Sequence, residues 1–436
     1  MGSVASQASF VAILNGAGVG GGAFFVAMLL AAVLMFTYVF SYLELSLMMP
    51  KAGGPGTYTT VASGHFAAII LVLAGYLASA VFGGLAELML LDRILDSVFP
   101  GVFSNVALGI VVVLTVLNVL GINIFATVQN VIVFGLLASA LLIGFAGLNG
   151  DAAQGLAPVV LWRQFGHADG SIFTLMVLAL WAFAGLEYVC PLVEEARQPQ
   201  KTLPNAMLIA AAVLVIVYGL IAYAGMRQVP HAALAASEVP HWLLVKALFG
   251  KAGVFVMVVF AVTASASITN TAIAGVARML YGMAHHHQLP PIFKKIHPRW
   301  DTPWVGILVY PVLVAIPLII FNKAPGYLLM LIISASALWL IAYVIAFINV
   351  MVLRKRYSAF KRPFKTPLYP LPQIIGIAGM GYAILNNSPA WQMTKSVYLN
   401  AGLVITVFAV YAFFWVKFKM KKGIFEAEPI EEAIAD

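Results

Sequence analysis

Three glutamates are the residues of this chain most able to do chemistry, because each lies within or at the end of a long apolar stretch. They are Glu44, Glu87 and Glu187. An ionisable group inside a membrane helix costs about 2.5–3.5 kcal/mol, so its presence favours a function such as ion coupling. For Glu187 the neighbouring Gly185 allows a local break, where a carboxylate can accept bonds from freed N–H groups or hold a proton. The alternative is a packing carboxylate bonded to a neighbouring helix, and for Glu44 a position at the membrane interface is the simpler interpretation.

A second polar group consists of hydroxyl residues in one apolar stretch. Ser267 and Thr271 are four positions apart, which places them one turn apart on the same helix face. Such a pair could contact an ion or a substrate. Small hydroxyl residues in membrane helices also serve as packing contacts, and both interpretations stay open.

A glycine run near the start of the chain predicts a break in a helix. Five of the seven residues from Gly16 to Gly22 are glycine, and no charged residue occurs before Glu44. Glycine costs about 1 kcal/mol per residue in a helix interior. Because lipid cannot satisfy free backbone groups, non-helical backbone at membrane depth normally lines a cavity or is buried in protein. We therefore expect a binding site at this run, which includes Gly18, Gly20, Gly21, Gly22 and the following Ala23.

The composition identifies the class of protein in which these residues must be positioned. Hydrophobic residues make up 62% of the chain and charged residues only 9%, whereas a soluble domain has about a quarter of its residues charged. We expect an integral, multi-pass, all-α membrane protein. The single cysteine, Cys190, excludes a disulfide within one chain. The net charge of +8 is carried by short loops between apolar runs, so we expect the lipid bilayer as a partner and no nucleic acid.

Apolar runs of about 20 residues, which cross roughly 30 Å of hydrocarbon, predict about twelve transmembrane helices. They lie near residues 4–24, 25–49, 66–92, 104–122, 125–148, 171–193, 205–228, 250–283, 303–321, 326–353, 371–388 and 396–416. Most lysines and arginines then fall on one side, so the positive-inside rule places both termini in the cytoplasm, and we expect a plasma (inner) membrane protein.

The chain divides into four parts on this pattern. We expect a transport core (1–353), a basic cytoplasmic loop (354–370), two peripheral helices (371–416) and a cytoplasmic tail (417–436). The tail is acidic from Glu426 onward, and we expect that stretch to be disordered.

Several other classes of protein are disfavoured by the sequence. It has no paired acid and base, no nucleophile motif and no phosphate loop, so we expect no catalytic residue and no enzyme. The adjacent His285, His286 and His287 cannot all face one metal from a helix, and we expect a solvated helix end without a metal site. We expect no cofactor. A channel is less favoured, because its pore would need repeated polar rings.

Five motifs together resemble the amino acid-polyamine-organocation superfamily of secondary transporters. The first two are Gly18-Val19-Gly20-Gly21-Gly22-Ala23-Phe24, similar to the signature of the first helix, and Tyr42-Leu43-Glu44-Leu45 followed by Pro50-Lys51-Ala52-Gly53-Gly54-Pro55-Gly56-Thr57-Tyr58. The others are Phe183-Ala184-Gly185-Leu186-Glu187, Glu194-Glu195-Ala196-Arg197-Gln198-Pro199 with Leu203-Pro204, and Arg278-Met279-Leu280-Tyr281 with Leu289-Pro290 and Thr302-Pro303. The resemblance covers residues 15–320.

The resemblance implies a five-plus-five inverted repeat, at about 4–148 and 171–353, in which helices 1 and 6 are broken at the midplane. N–H groups near the break in helix 1 would hold an amino acid carboxylate, and carbonyls of helix 6 would meet its ammonium. The predicted carboxylate donors are Gly20, Gly21, Gly22 and Ala23, within the signature that begins at Gly18. The predicted ammonium acceptors are Phe183, Ala184 and Gly185, with Phe183 as a gate. Spans 3, 6, 8 and 10 would select a neutral or hydrophobic side chain.

Two departures from the family pattern bear on the mechanism. Only 19 residues separate Phe24 from Glu44, about one span, which leaves no room for an outer half of helix 1. Span 5 has no charged residue, whereas some members have a lysine there that replaces a sodium ion. Coupling could then use sodium, at Ser267 and Thr271, or a proton on Glu187 or Glu87. We expect a symporter or antiporter of amino acids or amines, with a non-transporting sensor or subunit of the same fold as the alternative; the oligomeric state stays open.

Overall fold

The computed structural model describes residues 2–102, 105–149, 172–321, 327–388 and 391–435, and within these ranges the regular elements are all helical. The first helices are α1 (Gln7–Gly20), α2 (Ala23–Met48), α3 (Pro55–Ser63), α4 (His65–Val98), α5 (Val106–Val119), α6 (Ile122–Asn149) and α7 (Ile172–Ala182). The next are α8 (Pro199–Gln228), α9 (His231–Ala236), α10 (Pro240–Phe249) and α11 (Gly253–His285). The last are α12 (Trp304–Phe321), α13 (Tyr327–Arg356), α14 (Leu371–Leu385), α15 (Trp391–Phe414) and α16 (Ile430–Ala433).

Eight helical segments of the described residues are long and apolar enough to cross a membrane. Three further apolar helices are shorter: Val106–Val119, Trp304–Ile320 and Leu371–Leu385. The expectation of an integral, multi-pass, all-α membrane protein is therefore confirmed. The count of twelve spans and the inverted repeat stay predictions.

Helices α1 and α2 form a hairpin around the glycine run. Helix α1 is continuous from Gln7 to Gly20, and α2 starts three residues later, at Ala23. The turn depends on Gly21, whose φ of 50° and ψ of −134° are open to glycine but strained for other residues. An added Cβ on Gly18 would lie only 2.6 Å from the backbone N of Ala235, so α1 packs directly on α9 there. The run breaks the chain's helical path, as expected, but it does so between two helices.

The predicted break in the sixth span, residues 171–193, is present. We call this span helix 6; in the structure it consists of α7 and the irregular segment after it, and it is not α6. Helix α7 ends at Ala182, residues 183–185 are non-helical, and a 3₁₀ helix runs over Leu186–Glu195. Gly185 allows the break because it has a φ of 118°, in the left-handed region that disfavours side chains. Pro191 lies inside the 3₁₀ helix and has no N–H to continue a regular ladder. Local sequence thus accounts for both the position of the break and the irregular segment after it.

A buried ion-pair cluster fixes the end of α2 to the end of α13. The carboxylate of Glu44 is 2% exposed and accepts two hydrogen bonds of 2.7 Å from the guanidinium of Arg354. The Nε of Arg362 lies 3.3 Å from the same carboxylate, and the N–H of Thr366 donates to it at 2.8 Å. Glu44 is therefore a structural residue, a packing carboxylate bonded to another part of the chain. The basic loop 354–370 contributes two of its arginines to this cluster.

We expect Glu44→Ala to destabilise the protein strongly, because it leaves two largely buried guanidinium groups without their anion. Breaking such a pair costs about 3–5 kcal/mol. The matched control is Glu238→Ala, since Glu238 pairs with Arg93 but its side chain is 66% exposed, and exposed pairs contribute about 0–1 kcal/mol. The measurement is the thermal unfolding midpoint in detergent. Equal midpoints for the two variants would contradict the structural role of Glu44.

Candidate functional site

The break in helix 6 meets a second non-helical segment, the residues that precede α1. Residues 2–5 are not helical, and Ser6 caps α1 by accepting the N–H of Ser9 at 3.2 Å. The hydroxyl of Ser3 donates to the carbonyl of Gly185 at 2.6 Å. The hydroxyl of Tyr218 donates to the carbonyl of Val4 at 3.1 Å. Two stretches of irregular backbone from distant parts of the sequence therefore lie side by side in the protein interior.

Tyrosines from other helices hold the break in helix 6 in place. Tyr343 of α13 accepts the N–H of Gly185 at 2.9 Å, and its own hydroxyl donates to Glu187 at 2.8 Å. The indole N–H of Trp339 donates to the other oxygen of Glu187 at 2.6 Å. The hydroxyl of Tyr38 donates to the carbonyl of Phe183 at 2.5 Å. Three backbone groups at the break, the carbonyls of Phe183 and Gly185 and the N–H of Gly185, are thus paired with side chains, as an apolar environment requires.

A small cavity of about 20 Å³ lies beside this junction. Its lining comes from the segment before α1, from α4, from both sides of the break in helix 6, from α11 and from α13. The lining residues are Ser3, Ser79, Ala80, Gly83, Gly84, Trp181, Tyr188, Ile268, Ala272 and Trp339. The rings of Trp181 and Trp339 meet edge to face at 6.1 Å. Apart from the polar ends of a few side chains, these walls are apolar, and no member of this set is charged.

The four spans predicted to select the substrate side chain all contribute to this cavity. Ser79 and Gly83 come from span 3, Trp181 from span 6, Ala272 from span 8 and Trp339 from span 10. The cavity has room for about one water molecule. It is therefore too small for an amino acid in this conformation.

The glycine run lies away from this site. The chain leaves the site at Ser6, follows α1 to Gly20, and returns along α2 to Tyr38, which contacts Phe183. The 14 residues of α1 place Gly20 about 21 Å from Ser6. The structure therefore does not bring Gly18, Gly20, Gly21, Gly22 and Ala23 together with Phe183, Ala184 and Gly185, and their roles in binding a substrate stay predictions. The sequence analysis places the run at a midplane break, whereas the fold uses it as a hairpin turn.

This hairpin also explains the short interval between Phe24 and Glu44. The interval is α2 alone, because the helix that pairs with it is α1, which precedes the end of the glycine run. The residues of the candidate site that the sequence analysis missed are Ser3, Tyr38, Tyr343 and Trp339. The capping serine Ser6, which precedes an apolar run, is the signal that could have located the start of α1.

Glu87 lies on the other side of the α1 N-terminus from the break. Its carboxylate accepts the backbone N–H groups of Gln7 at 2.7 Å and Ala8 at 3.0 Å. The hydroxyl of Ser265 is 3.2 Å from the same carboxylate and also accepts from the side-chain amide of Gln7. Free N–H groups and the helix dipole favour an anion at this end. A residue of the protein thus already satisfies the N–H groups in the first turn of α1.

The hydroxyls of Ser267 and Thr271 lie in a third polar cluster, between α11 and α6. The side-chain amide of Gln129 donates to the hydroxyl of Ser267 at 2.8 Å. The hydroxyl of Thr271 donates to the carbonyl of Ser267 at 2.9 Å. Asn270 donates to Gln129 at 2.8 Å and accepts from Asn118 at 2.6 Å. The four predicted coupling residues are therefore distributed over three separate clusters.

Two further sets of contacts join distant parts of the chain. The guanidinium of Arg278 on α11 donates to both oxygens of Glu195, at 2.8 and 3.2 Å. The amide of Asn15 donates to the carbonyls of Leu234 at 2.6 Å and Ser237 at 3.0 Å. The first set holds α11 against the 3₁₀ segment of the broken helix, and the second holds α1 against the end of α9.

A family model described as amino acid permease matches residues 1–421, nearly the whole chain. The chain belongs to the amino acid permease family. This membership confirms the resemblance to the amino acid-polyamine-organocation superfamily and the expectation of a permease. Membership in a family of transporters also agrees with the expectation of a protein that is not an enzyme.

Curated relatives from Bacillus subtilis (strain 168) are similar to this permease over most of their length. The serine/threonine exchanger SteT is 27% identical over 371 residues, which cover 82% of this chain and 81% of the relative. The branched-chain amino acid permease BcaP is 25% identical over 427 residues, with coverage of 93% and 89%. The glutamate/serine transporter AimA is 24% identical over 464 residues, with coverage of 97% and 80%.

We expect Tyr343→Phe to weaken the binding of a transported substrate about tenfold. The variant removes the acceptor of the Gly185 N–H and one donor to Glu187, and an unsatisfied buried polar group costs about 1–3 kcal/mol. Tyr58→Phe is the control, because the Tyr58 hydroxyl is buried and has no hydrogen-bond partner among the described residues. Equilibrium binding of radiolabelled amino acids to purified protein measures the effect. Equal affinities for the two variants would show that Tyr343 does not position the break.

Proposed function

We propose that this permease moves neutral amino acids across the membrane by alternating access to the central cavity. The observation that carries the proposal is the junction of two non-helical segments, 2–6 and 183–185, beside an enclosed apolar cavity. Irregular backbone in this environment offers hydrogen-bonding groups where lipid and apolar side chains offer none. Family membership supports transport of amino acids as the use of that site.

Backbone and hydroxyl groups at the junction suit the head group of an amino acid. The carbonyls of Phe183 and Gly185 are acceptors for an ammonium group, and in this conformation Tyr38 and Ser3 donate to them. The ligand carboxylate would bind on the side of Ser3, where residues 2–5 contribute N–H groups outside the helical ladder. The carboxylate of Glu87 already accepts the N–H groups in the first turn of α1. A second carboxylate there would be repelled by its charge.

The walls of the cavity favour a neutral side chain. They consist mainly of aromatic rings, methyl groups and glycine Cα atoms, with the hydroxyls of Ser3 and Ser79 at one side. A charged side chain would lose its hydration there without gaining an ion-pair partner. The relatives are named for serine, threonine, branched-chain amino acids and glutamate, so the family permits several side chains.

Two sets of contacts between helices are the gates that we propose for alternating access. The Arg278–Glu195 pair joins α11 to the 3₁₀ segment of the broken helix, and the bonds of Asn15 join α1 to the end of α9. Opening either set alone would connect the cavity to one side. The helices that we propose to rock are those of spans 1, 2, 6 and 7 against those of spans 3, 4, 8 and 9, with both termini on the cytoplasmic side of the plasma membrane.

For coupling we propose a proton on Glu187 in preference to sodium at Ser267 and Thr271. Glu187 connects through Tyr343 to the Gly185 N–H, so a change in its charge reaches the break directly. The hydroxyl of Ser267 and its carbonyl are already bonded by Gln129 and Thr271. Glu87 is the alternative proton carrier. A sensor that binds ligand without moving it is the alternative function.

Uptake into proteoliposomes tests the proposed function. We expect saturable uptake of labelled leucine, serine or alanine that an inward proton gradient accelerates and that replacement of sodium by choline leaves unchanged. Protein-free liposomes and excess unlabelled substrate are the controls. Binding without uptake or exchange would instead identify a sensor. Uptake that requires sodium would assign ion coupling to Ser267 and Thr271 in place of Glu187.

We expect Gly83→Ala to reduce uptake of large neutral amino acids about tenfold or more while small ones are less affected. The added Cβ would lie 3.5 Å from the Trp181 ring, an ordinary contact that fills the cavity without a clash. Changes of one methylene in an apolar pocket are worth about 1–3 kcal/mol. Gly109→Ala is the control, because an added Cβ there meets nothing within 4 Å. The ratio of leucine to alanine uptake is the readout, and an unchanged ratio would remove this cavity from substrate selection.

We expect Glu187→Gln to abolish the acceleration of uptake by a proton gradient while exchange of internal for external substrate continues. Glutamine keeps an acceptor for Tyr343 and Trp339 but holds no titratable proton. Glu87→Gln, measured beside it, discriminates the two carboxylates. If the response to the gradient persists in Glu187→Gln and is lost in Glu87→Gln, Glu87 is the coupling residue.

A further inference from the structure

The C-terminal tail, residues 421–435, is folded against the body of the protein. The acidic composition predicts a disordered tail, but Ile430 is fully buried and Ala433 is 4% exposed, both in the short helix α16. The N–H of Ile430 donates to the hydroxyl of Tyr357, just beyond α13. The apolar face of α16 thus packs against the protein, so the prediction of disorder is wrong for these residues.

Polar contacts fix the tail to three further elements. The carboxylate of Glu428 lies 3.0 Å from Nδ1 of His286, at the end of α11, and 3.7 Å from Nε2 of His65, at the start of α4. The N–H of Glu428 donates to the carbonyl of Thr60 on α3 at 3.2 Å. Lys422 Nζ is 3.0 Å from the same Nε2 of His65.

The charge of Glu428 suits this position. Burial by itself would raise the pKa of its carboxyl, but the hydrogen bond from His286 and the charges of His286, His65 and Lys422 lower the pKa below its ordinary value. Glu428 is therefore ionised at neutral pH, which favours its hydrogen bond with His286.

A cavity of about 440 Å³ lies beneath the tail. The tail forms one wall with Glu428, Glu432, Ala433 and Ala435. The opposite walls are the loop after α2, the end of the 3₁₀ segment and the end of α11, contributed by Lys51, Ala52, Gly53, Thr57, Glu194, Tyr281, Gly282, His285 and His286. We call this space the tail-side vestibule.

The walls of the vestibule belong to three elements that contact one another: the loop after α2, the 3₁₀ segment and α11. Lys51 Nζ lies 3.7 Å from Glu194, and the N–H of Ala52 donates to Glu194 at 2.9 Å. Glu194 is adjacent to Glu195, which binds Arg278. An added Cβ on Gly282 would lie 2.2 Å from the Cα of Gly53, so α11 and the loop after α2 are in direct backbone contact. The vestibule therefore lies next to the ion pair of Arg278 and Glu195.

We propose that the tail is an autoinhibitory lid over the tail-side vestibule. Its contacts with α3, α4, α11 and the end of α13 hold elements of the closed side in one arrangement, and its α16 narrows the mouth through which substrate would pass. Release of the tail should therefore favour opening on this side and raise the rate of transport. The effect on rate rests on the proposed function, whereas the covering of the vestibule does not.

Labelling of an introduced cysteine tests the lid without a substrate. The native Cys190 is fully buried, so Ala52→Cys places a single reactive thiol in the vestibule wall. The variant Ile430→Asp, which removes the apolar anchor of α16, should increase the rate at which a bulky hydrophilic maleimide labels the thiol at position 52 in detergent by about tenfold or more. Glu428→Gln should give a smaller increase. The matched control is Glu431→Gln, since Glu431 is exposed on the same helix.

Uptake by the same variants, without the introduced cysteine, provides the second readout. We expect Ile430→Asp to raise the initial rate of substrate exchange severalfold while the substrate concentration at half-maximal rate changes little. A size-exclusion profile identical to that of the parent protein shows that the variant is folded, and Glu428→Gln supplies the test if Ile430→Asp is not. Labelling rates equal to the control in both variants would overturn the lid. Faster labelling with an unchanged or lower transport rate would overturn its inhibitory role, and absence of transport in every variant including the parent would count against the proposed function alone.

Discussion

Backbone N–H and C=O groups inside an apolar protein must be paired, and this requirement shapes the site at the centre of the permease. At residues 183–185 helix 6 loses its regular helical hydrogen bonds, and the carbonyls of Phe183 and Gly185 and the N–H of Gly185 take partners from elsewhere. Ser3, Tyr38 and Tyr343 provide those partners from three distant parts of the chain. The break therefore links the start of the chain, α2 and α13 into one site, and any movement of these helices changes the groups available to a ligand.

The buried carboxylates around the site are paired with donors in the same way. Glu187 accepts from the Trp339 and Tyr343 side chains that support the break, and Glu87 accepts the first N–H groups of α1. Glu44 instead neutralises two arginines far along the chain. The three residues share one signal in the sequence, an acidic group in an apolar stretch, yet they have different partners. A carboxylate next to backbone donors can respond to a ligand or a proton, whereas one between arginines stabilises the fold.

The proposed lid lies next to an ion pair of the broken helix. Arg278 binds Glu195, and the neighbouring Glu194 lines the vestibule over which the tail lies. Glu428 brings the end of the chain to His286, at the end of α11, the same helix that contributes Ala272 to the central cavity. A continuous helix of 33 residues thus runs from the central cavity to the contacts of the tail.

The membrane class, the break at Gly185, the long helix that starts near residue 250 and the family could all be predicted from the sequence, because composition, glycine and apolar run length act locally. The family resemblance predicts that spans 3, 6, 8 and 10 select the substrate side chain, and residues of all four spans line the cavity. The role of the glycine run was not, since glycine permits a turn and a binding site equally and the difference lies in what packs nearby. The partners of Glu44, Glu87 and Glu187, the role of Ser3 and the docking of the tail depend on contacts between residues far apart in the chain. Hydrophobic pattern cannot specify such pairs, because it sets which residues are buried and leaves open what they are buried against.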